Sequence, residues 1–123
     1  MYLVDTNVWL ERLLDQAGAG EVARFLERIP AEQLAISDFS FHSIGLILTR
    51  LGQTDALLRF VQDAFGEGPV SLLHLEAGDT VDLVDAMRHF KLDFDDAYQY
   101  AAAEKYGLTI VTCSYPLCCN QGR

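Results

Sequence analysis

Asp5 closes the first apolar run of the chain, Tyr2-Leu3-Val4, and Asp93 and Asp96 stand three residues apart at the start of an alanine-rich stretch. That spacing puts Asp93 and Asp96 on one face of a helix, while Asp95 points elsewhere. Carboxylates brought together from separate elements repel one another unless a cation lies among them. Oxygen ligands that leave room for retained water suit Mg²⁺ or Mn²⁺, and a site of that kind activates water for attack on a phosphodiester. Aspartates also serve as helix N-caps, and for any one of Asp38, Asp93, Asp95 or Asp96 taken alone the cap is the simpler account. Asp5 differs, because it ends a buried strand, where an unpaired carboxylate is costly and a metal or a hydrogen-bond partner is expected.

The other reactive residue types form no comparable constellation. All three cysteines, Cys113, Cys118 and Cys119, fall in the last 11 residues. A disulfide framework would spread them through the fold. As a metal site they are poorly spaced, since neighbouring cysteines rarely face one ion and a fourth ligand would have to be His42, His74 or His89. His74 and His89 have no acidic residues grouped with them and are assigned no role. Trp9, Phe39 and Phe41 lie in helical apolar stripes and read as core or dimer contacts rather than base-stacking platforms.

The elements that position these residues follow from hydrophobic periodicity. The 123 residues are 50% apolar and 22% charged, which suits one domain with one ordinary core. Strands are expected at Tyr2-Leu3-Val4, Leu34-Ala35-Ile36, Val70 to Leu75 and Leu108 to Thr112. Between them, helices are expected after Asp5-Thr6-Asn7, around Val22, Phe25 and Leu26 up to Pro30, from Ser37-Asp38 to Leu51, from Asp55 to Phe65, from Glu76 to Phe90 and from Asp93 to Tyr106. The helix from Ser37 is apolar nearly all round and is expected to be central. Short apolar strands alternating with helices define an α/β fold, a parallel four-stranded sheet, five-stranded if complete, with helices on both faces. In such sheets ligands collect at the carboxyl ends of the strands, which here carry Asp5-Thr6-Asn7, Ser37-Asp38 and Thr112.

Eighteen acids against nine basic residues leave a net charge of −9. This excludes simple phosphate neutralisation as a route to nucleic acid, although a divalent ion can supply positive charge locally. No apolar run approaches the roughly 18 to 20 residues of a membrane span. Met1 leads directly into Tyr2-Leu3-Val4-Asp5 with no basic start or cleavage site, so a soluble cytoplasmic protein is expected.

Taken together, Val4-Asp5-Thr6-Asn7 before a helix, Ile36-Ser37-Asp38 opening another, Asp96-Ala97 in an alanine-rich helix and Gly107-Leu108-Thr109-Ile110-Val111-Thr112 resemble a PIN domain, most closely the toxin component of VapBC toxin–antitoxin pairs. The resemblance spans nearly the whole chain. It implies a Mg²⁺- or Mn²⁺-dependent endoribonuclease, a homodimer, and inhibition by a small antitoxin. Asp5 and Asp96 match the metal-binding aspartates and Thr6 and Asn7 match residues that hold the first strand end, while Asp93, one turn before Asp96, would supply an outer-sphere carboxylate.

Two positions depart from the family pattern. Ser43 stands where a helical glutamate is usual, with His42 beside it, and Thr112-Cys113-Ser114 replaces Thr-x-Asp, putting Ser114 at an acidic position. His42 is read either as a substitute ligand or base, or as a hydrogen-bonded structural residue, the second being preferred. In either case His42 and Ser43 are expected to line the pocket, supported by Ser37. Fewer acidic ligands weaken a hard divalent ion, so the alternative is a non-catalytic PIN-like module that binds a partner and has lost its metal site.

Residues 1–112 are expected to form the PIN-like body and residues 113–123 an atypical ending. Cysteine appears only there, acids vanish after Glu104, and the family pattern fails at the same place, which a frameshift or premature stop near codon 113 would explain. PIN domains usually continue through a further helix and a short edge strand, and Ser114 to Arg123 is expected to be too short and too irregular for both.

Overall fold

The computed structural model describes residues 1–14, 24, 28–66, 68–114 and 117–121, with backbone only for 113–114 and 117–121. Five strands form one sheet: β1 (Tyr2–Val4), β2 (Leu34–Ser37), β3 (Ser71–Leu73), β4 (Thr109–Ser114) and β5 (Leu117–Gln121), in the order β3-β2-β1-β4-β5. The first four are parallel, with Leu3 opposite Ala35 on one side and Ile110 on the other. This is the α/β architecture the apolar strands require.

β5 pairs antiparallel with β4, Ser114 opposite Leu117 and Val111 opposite Gln121. The ending therefore supplies the edge strand of a five-stranded sheet. Antiparallel neighbours need no helical crossover, so a segment without room for a helix still pairs.

Five helices are described: α1 (Thr6–Leu13), α2 (Asp38–Arg50), α3 (Thr54–Val61), α4 (Thr80–Phe90) and α5 (Phe94–Tyr106). The helix expected around Val22, Phe25 and Leu26 lies outside the described residues. Two expected helices are shorter than their apolar patterns. The segment after Val61 widens into a π-type turn over Gln62–Gly66, and Ala77–Asp79 form a 3₁₀ turn ahead of α4.

Each sheet face has its own core. Val4, Ile36 and Val111 pack with Val8 and Trp9 of α1, Ile44 and Leu48 of α2, and Phe60 of α3. On the other face Leu3, Ala35 and Ile110 meet Ala102 and Ala103 of α5. A third cluster joins Ala97 and Ala101 of α5 to Leu83 and Ala86 of α4. α5 is thus held between the sheet and α4, and its alanines let it approach both closely. α2, by contrast, is buried only along Ser40, Ile44 and Leu48, while Leu46 is 43% exposed and Leu51 beyond it 55% exposed. Its apolar circumference does not make it central. Among the described residues no helix is long and apolar enough to cross a membrane.

Candidate active site

The carboxyl ends of β1, β2 and β4 meet the N-termini of α1 and α2 and the first turns of α5. Asp5 follows β1, and its backbone N–H donates to the Val111 carbonyl of β4 at 2.9 Å. As N-cap of α1, Asp5 receives the Thr6 N–H on Oδ1 at 2.7 Å. Oδ1 also accepts from Gln99 Nε2 at 2.9 Å, and Oδ2 accepts from the Thr112 hydroxyl at 3.1 Å. All three donors are neutral.

A second layer of hydrogen bonds lies behind this carboxylate. Ser37, the N-cap of α2, accepts the Ser40 N–H at 3.0 Å and donates its hydroxyl to Gln99 Oε1 at 2.8 Å. Ser40 Oγ accepts from Thr6 Oγ1 at 2.8 Å and from Gln99 Nε2 at 3.0 Å. Ser37, Ser40 and Gln99 are buried, and buried polar side chains are tolerated because they are paired in this way. Ser37 is the last residue of β2, whereas Thr112 lies within β4, one residue beyond its last pairing with β1. Ser40 and Gln99 were not singled out from sequence. The available signal for Gln99 was a polar residue three positions after Asp96 on an otherwise alanine-rich face.

α5 contributes the remaining acids. Asp93 is its N-cap, with Oδ1 at 3.5 Å from the Asp96 N–H. Burial pushes the Asp96 carboxyl above the usual carboxylate range, and the negative charges of Asp93 and Asp5, a hydrogen bond with Asp93 and the charge of Asp95 add to that. Asp5, Asp93 and Asp96 are therefore close enough to repel. They nevertheless do not converge as a cage, since no group of three His, Cys, Asp or Glu among the described residues is arranged to hold a metal ion. What they offer is one fixed carboxylate and a neighbouring acid whose charge is disfavoured. That donor set fits a hard divalent ion retaining most of its water, and it does not fit an ion enclosed by protein ligands.

His42 is exposed and lines a surface groove with Asp38, Phe39, Phe41 and Leu46. It is two residues from Ser40, about 200° around the helix, and so faces away from the buried network. Ser43 is half-buried, one turn beyond Ser40. Asn7 is exposed on the first turn of α1. Ser114 is placed by its backbone in β4, opposite Leu117. A separate link runs beside the site, where the Tyr98 hydroxyl donates to Asp38 Oδ1 at 2.7 Å and accepts the Leu75 N–H at 3.0 Å. Burial, then the bond to Asp38, raises the Tyr98 phenol above its ordinary value.

The family model described as "PIN domain" matches residues 2–114. The chain is a PIN domain. PIN domains are typically metal-dependent nucleases. Among solved structures, this PIN domain is similar to a toxin–antitoxin complex from Klebsiella pneumoniae, with a TM-score of 0.76 at 21% identity over 94% of this chain and 88% of that one. It is also similar to VapC20 of Mycobacterium tuberculosis, described as a sarcin-ricin loop cleaving toxin, with a TM-score of 0.73 at 20% identity over 88% and 85% of the two chains. FitAcB from Neisseria gonorrhoeae gives 0.71 at 20% identity over 89% and 85%. At these identities the likeness is one of fold. No curated protein matches the PIN domain by sequence.

Proposed function

We propose that this PIN domain is a Mg²⁺- or Mn²⁺-dependent endoribonuclease of the VapC type, the toxin of a toxin–antitoxin pair acting in the cytoplasm. The observation that carries the reading is the placement of Asp5, a strand-end carboxylate held by three neutral donors beside Asp96. Neutral donors fix the orientation of a carboxylate and leave its charge available to a cation. Asp5 and Asp96 would hold the ion, and Asp93, one turn before Asp96, would accept hydrogen bonds from its water. When bound, the ion supplies local positive charge for the scissile phosphate and lowers the pKa of water. A chain with a net charge of −9 has little other means of approaching RNA. An antitoxin partner belongs to the same proposal, supported by the fold shared with a toxin–antitoxin complex, and a homodimer belongs to it through the family resemblance alone.

One observation favours a second reading, a partner-binding PIN module without metal chemistry. The described residues include no three-ligand group, and Ser43 and Ser114 stand at two positions that are acidic in the family pattern. Incubation of single-stranded RNA with the protein in Mn²⁺ separates the two. The nuclease reading requires cleavage that EDTA abolishes and that Asp5→Asn and Asp96→Asn each reduce by about 100-fold or more, as expected when an electrostatic contact to the reacting centre is lost. Cleavage unchanged in Asp5→Asn refutes it, and no cleavage by the unmodified protein supports the module.

A further inference from the structure

Gln99 is 5% exposed and uses both ends of its amide. Nε2 donates to Asp5 Oδ1 at 2.9 Å and to Ser40 Oγ at 3.0 Å, while Oε1 accepts from Ser37 Oγ at 2.8 Å. The amide has only one workable orientation. Turned over, it would set its carbonyl oxygen against the Asp5 carboxylate, an acceptor against an acceptor. These contacts close a ring. Asp5 Oδ1 is bonded to the Thr6 N–H, Thr6 Oγ1 to Ser40 Oγ, Ser40 Oγ to Gln99 Nε2, and Nε2 back to Asp5 Oδ1. The ring joins the end of β1 to α1, α2 and α5.

We propose that Gln99 is the positioning residue of the site, fixing the Asp5 carboxylate and its separation from α5 in the arrangement that takes a divalent cation. The proposal rests on the metal reading above. Three features support it. A lysine or arginine at this place would neutralise Asp5, whereas an amide orients it and leaves the charge for the ion. Gln99 and Asp96 are three residues apart on one helix face, so the bond from Gln99 to Asp5 also sets how close Asp96 comes to Asp5. Finally, with serines at positions 43 and 114, the remaining acids have few charges with which to compensate for a misplaced oxygen. Residues that hold a ligand from behind typically change metal affinity by about 10- to 100-fold.

Gln99→Met keeps the volume and removes every polar bond. In calorimetric titration with Mn²⁺ it should bind about tenfold more weakly than the unmodified protein. In metal-free protein the Thr6 amide, which donates to Asp5, should exchange with solvent faster, while the Leu3 amide in the central strand keeps its rate. A residue that only supported the fold would change both amides alike. Should Gln99→Met fail to fold, Ser37→Ala removes the bond that holds Gln99 Oε1 without touching Asp5 or Thr6, and it should weaken Mn²⁺ binding by about threefold and speed Thr6 exchange. Unchanged Mn²⁺ affinity or unchanged Thr6 exchange in a folded variant overturns the positioning role. Absence of Mn²⁺ binding by the unmodified protein overturns the metal reading instead, and the Thr6 rate still reports whether Gln99 holds Asp5.

Discussion

The Thr112 hydroxyl donates to Asp5 Oδ2 at 3.1 Å, joining residues 107 positions apart, one just after β1 and the other within the neighbouring parallel strand β4. A hydrogen bond to a charged acceptor contributes more than one between neutral groups. Thr112→Val, which keeps the shape and removes the donor, should lower stability by about 1 to 2 kcal/mol in urea denaturation. Weaker Mn²⁺ binding should accompany the loss.

Asp96 yields a prediction with a defined pH dependence. Its carboxyl is raised first by burial and then by Asp93 and Asp5, so ionisation is less favourable in the folded chain than in the unfolded one. The folded state therefore loses stability as pH rises through the raised value, and no penalty exists below the ordinary aspartate value, where both states are protonated. In EDTA, Asp96→Asn should melt at a higher temperature than the unmodified protein at pH 7, and thermal melts near pH 3 should coincide.

Tyr98 links Asp38 to the backbone at Leu75. Tyr98→Phe leaves the Leu75 N–H without its acceptor and should cost about 1 kcal/mol in chemical denaturation. Because Tyr98 makes no bond to Asp5, Mn²⁺ affinity should stay within about twofold of the original, given the near-independence of separated sites.

Lys91 ends α4 with φ of 55°, in the left-handed region that favours glycine. Gly107 ends α5 in the same conformation without that strain. Lys91→Gly should stabilise the protein by about 0.5 to 1 kcal/mol, measured by urea denaturation, with Mn²⁺ binding unaffected.

Much of this arrangement was legible in the sequence because it rests on short-range chemistry. Tyr2-Leu3-Val4 followed by Asp5 announces a buried strand running into a cap, and Gly107 announces the end of α5. The Asp93/Asp96 pair follows from spacing, whereas β4 runs two residues past Thr112, the end that the apolar run Leu108 to Thr112 suggests. Gln99 was not legible, because its role depends on Asp5 and Ser37 arriving from residues 94 and 62 positions away. His42 and Ser43 illustrate the converse. They are adjacent in the chain, but a helix turns them to different faces, so one is exposed and the other half-buried. The strand β5 has no signature of its own, because a short cysteine-containing ending carries no apolar alternation and its pairing is supplied by β4.

Isothermal titration of Mn²⁺ into the metal-free protein at pH 7, beside Asp5→Asn, tests the central claim most directly. The claim predicts saturable one-to-one binding by the unmodified protein and its loss in Asp5→Asn. No binding at millimolar Mn²⁺, or equal binding by both proteins, would contradict it.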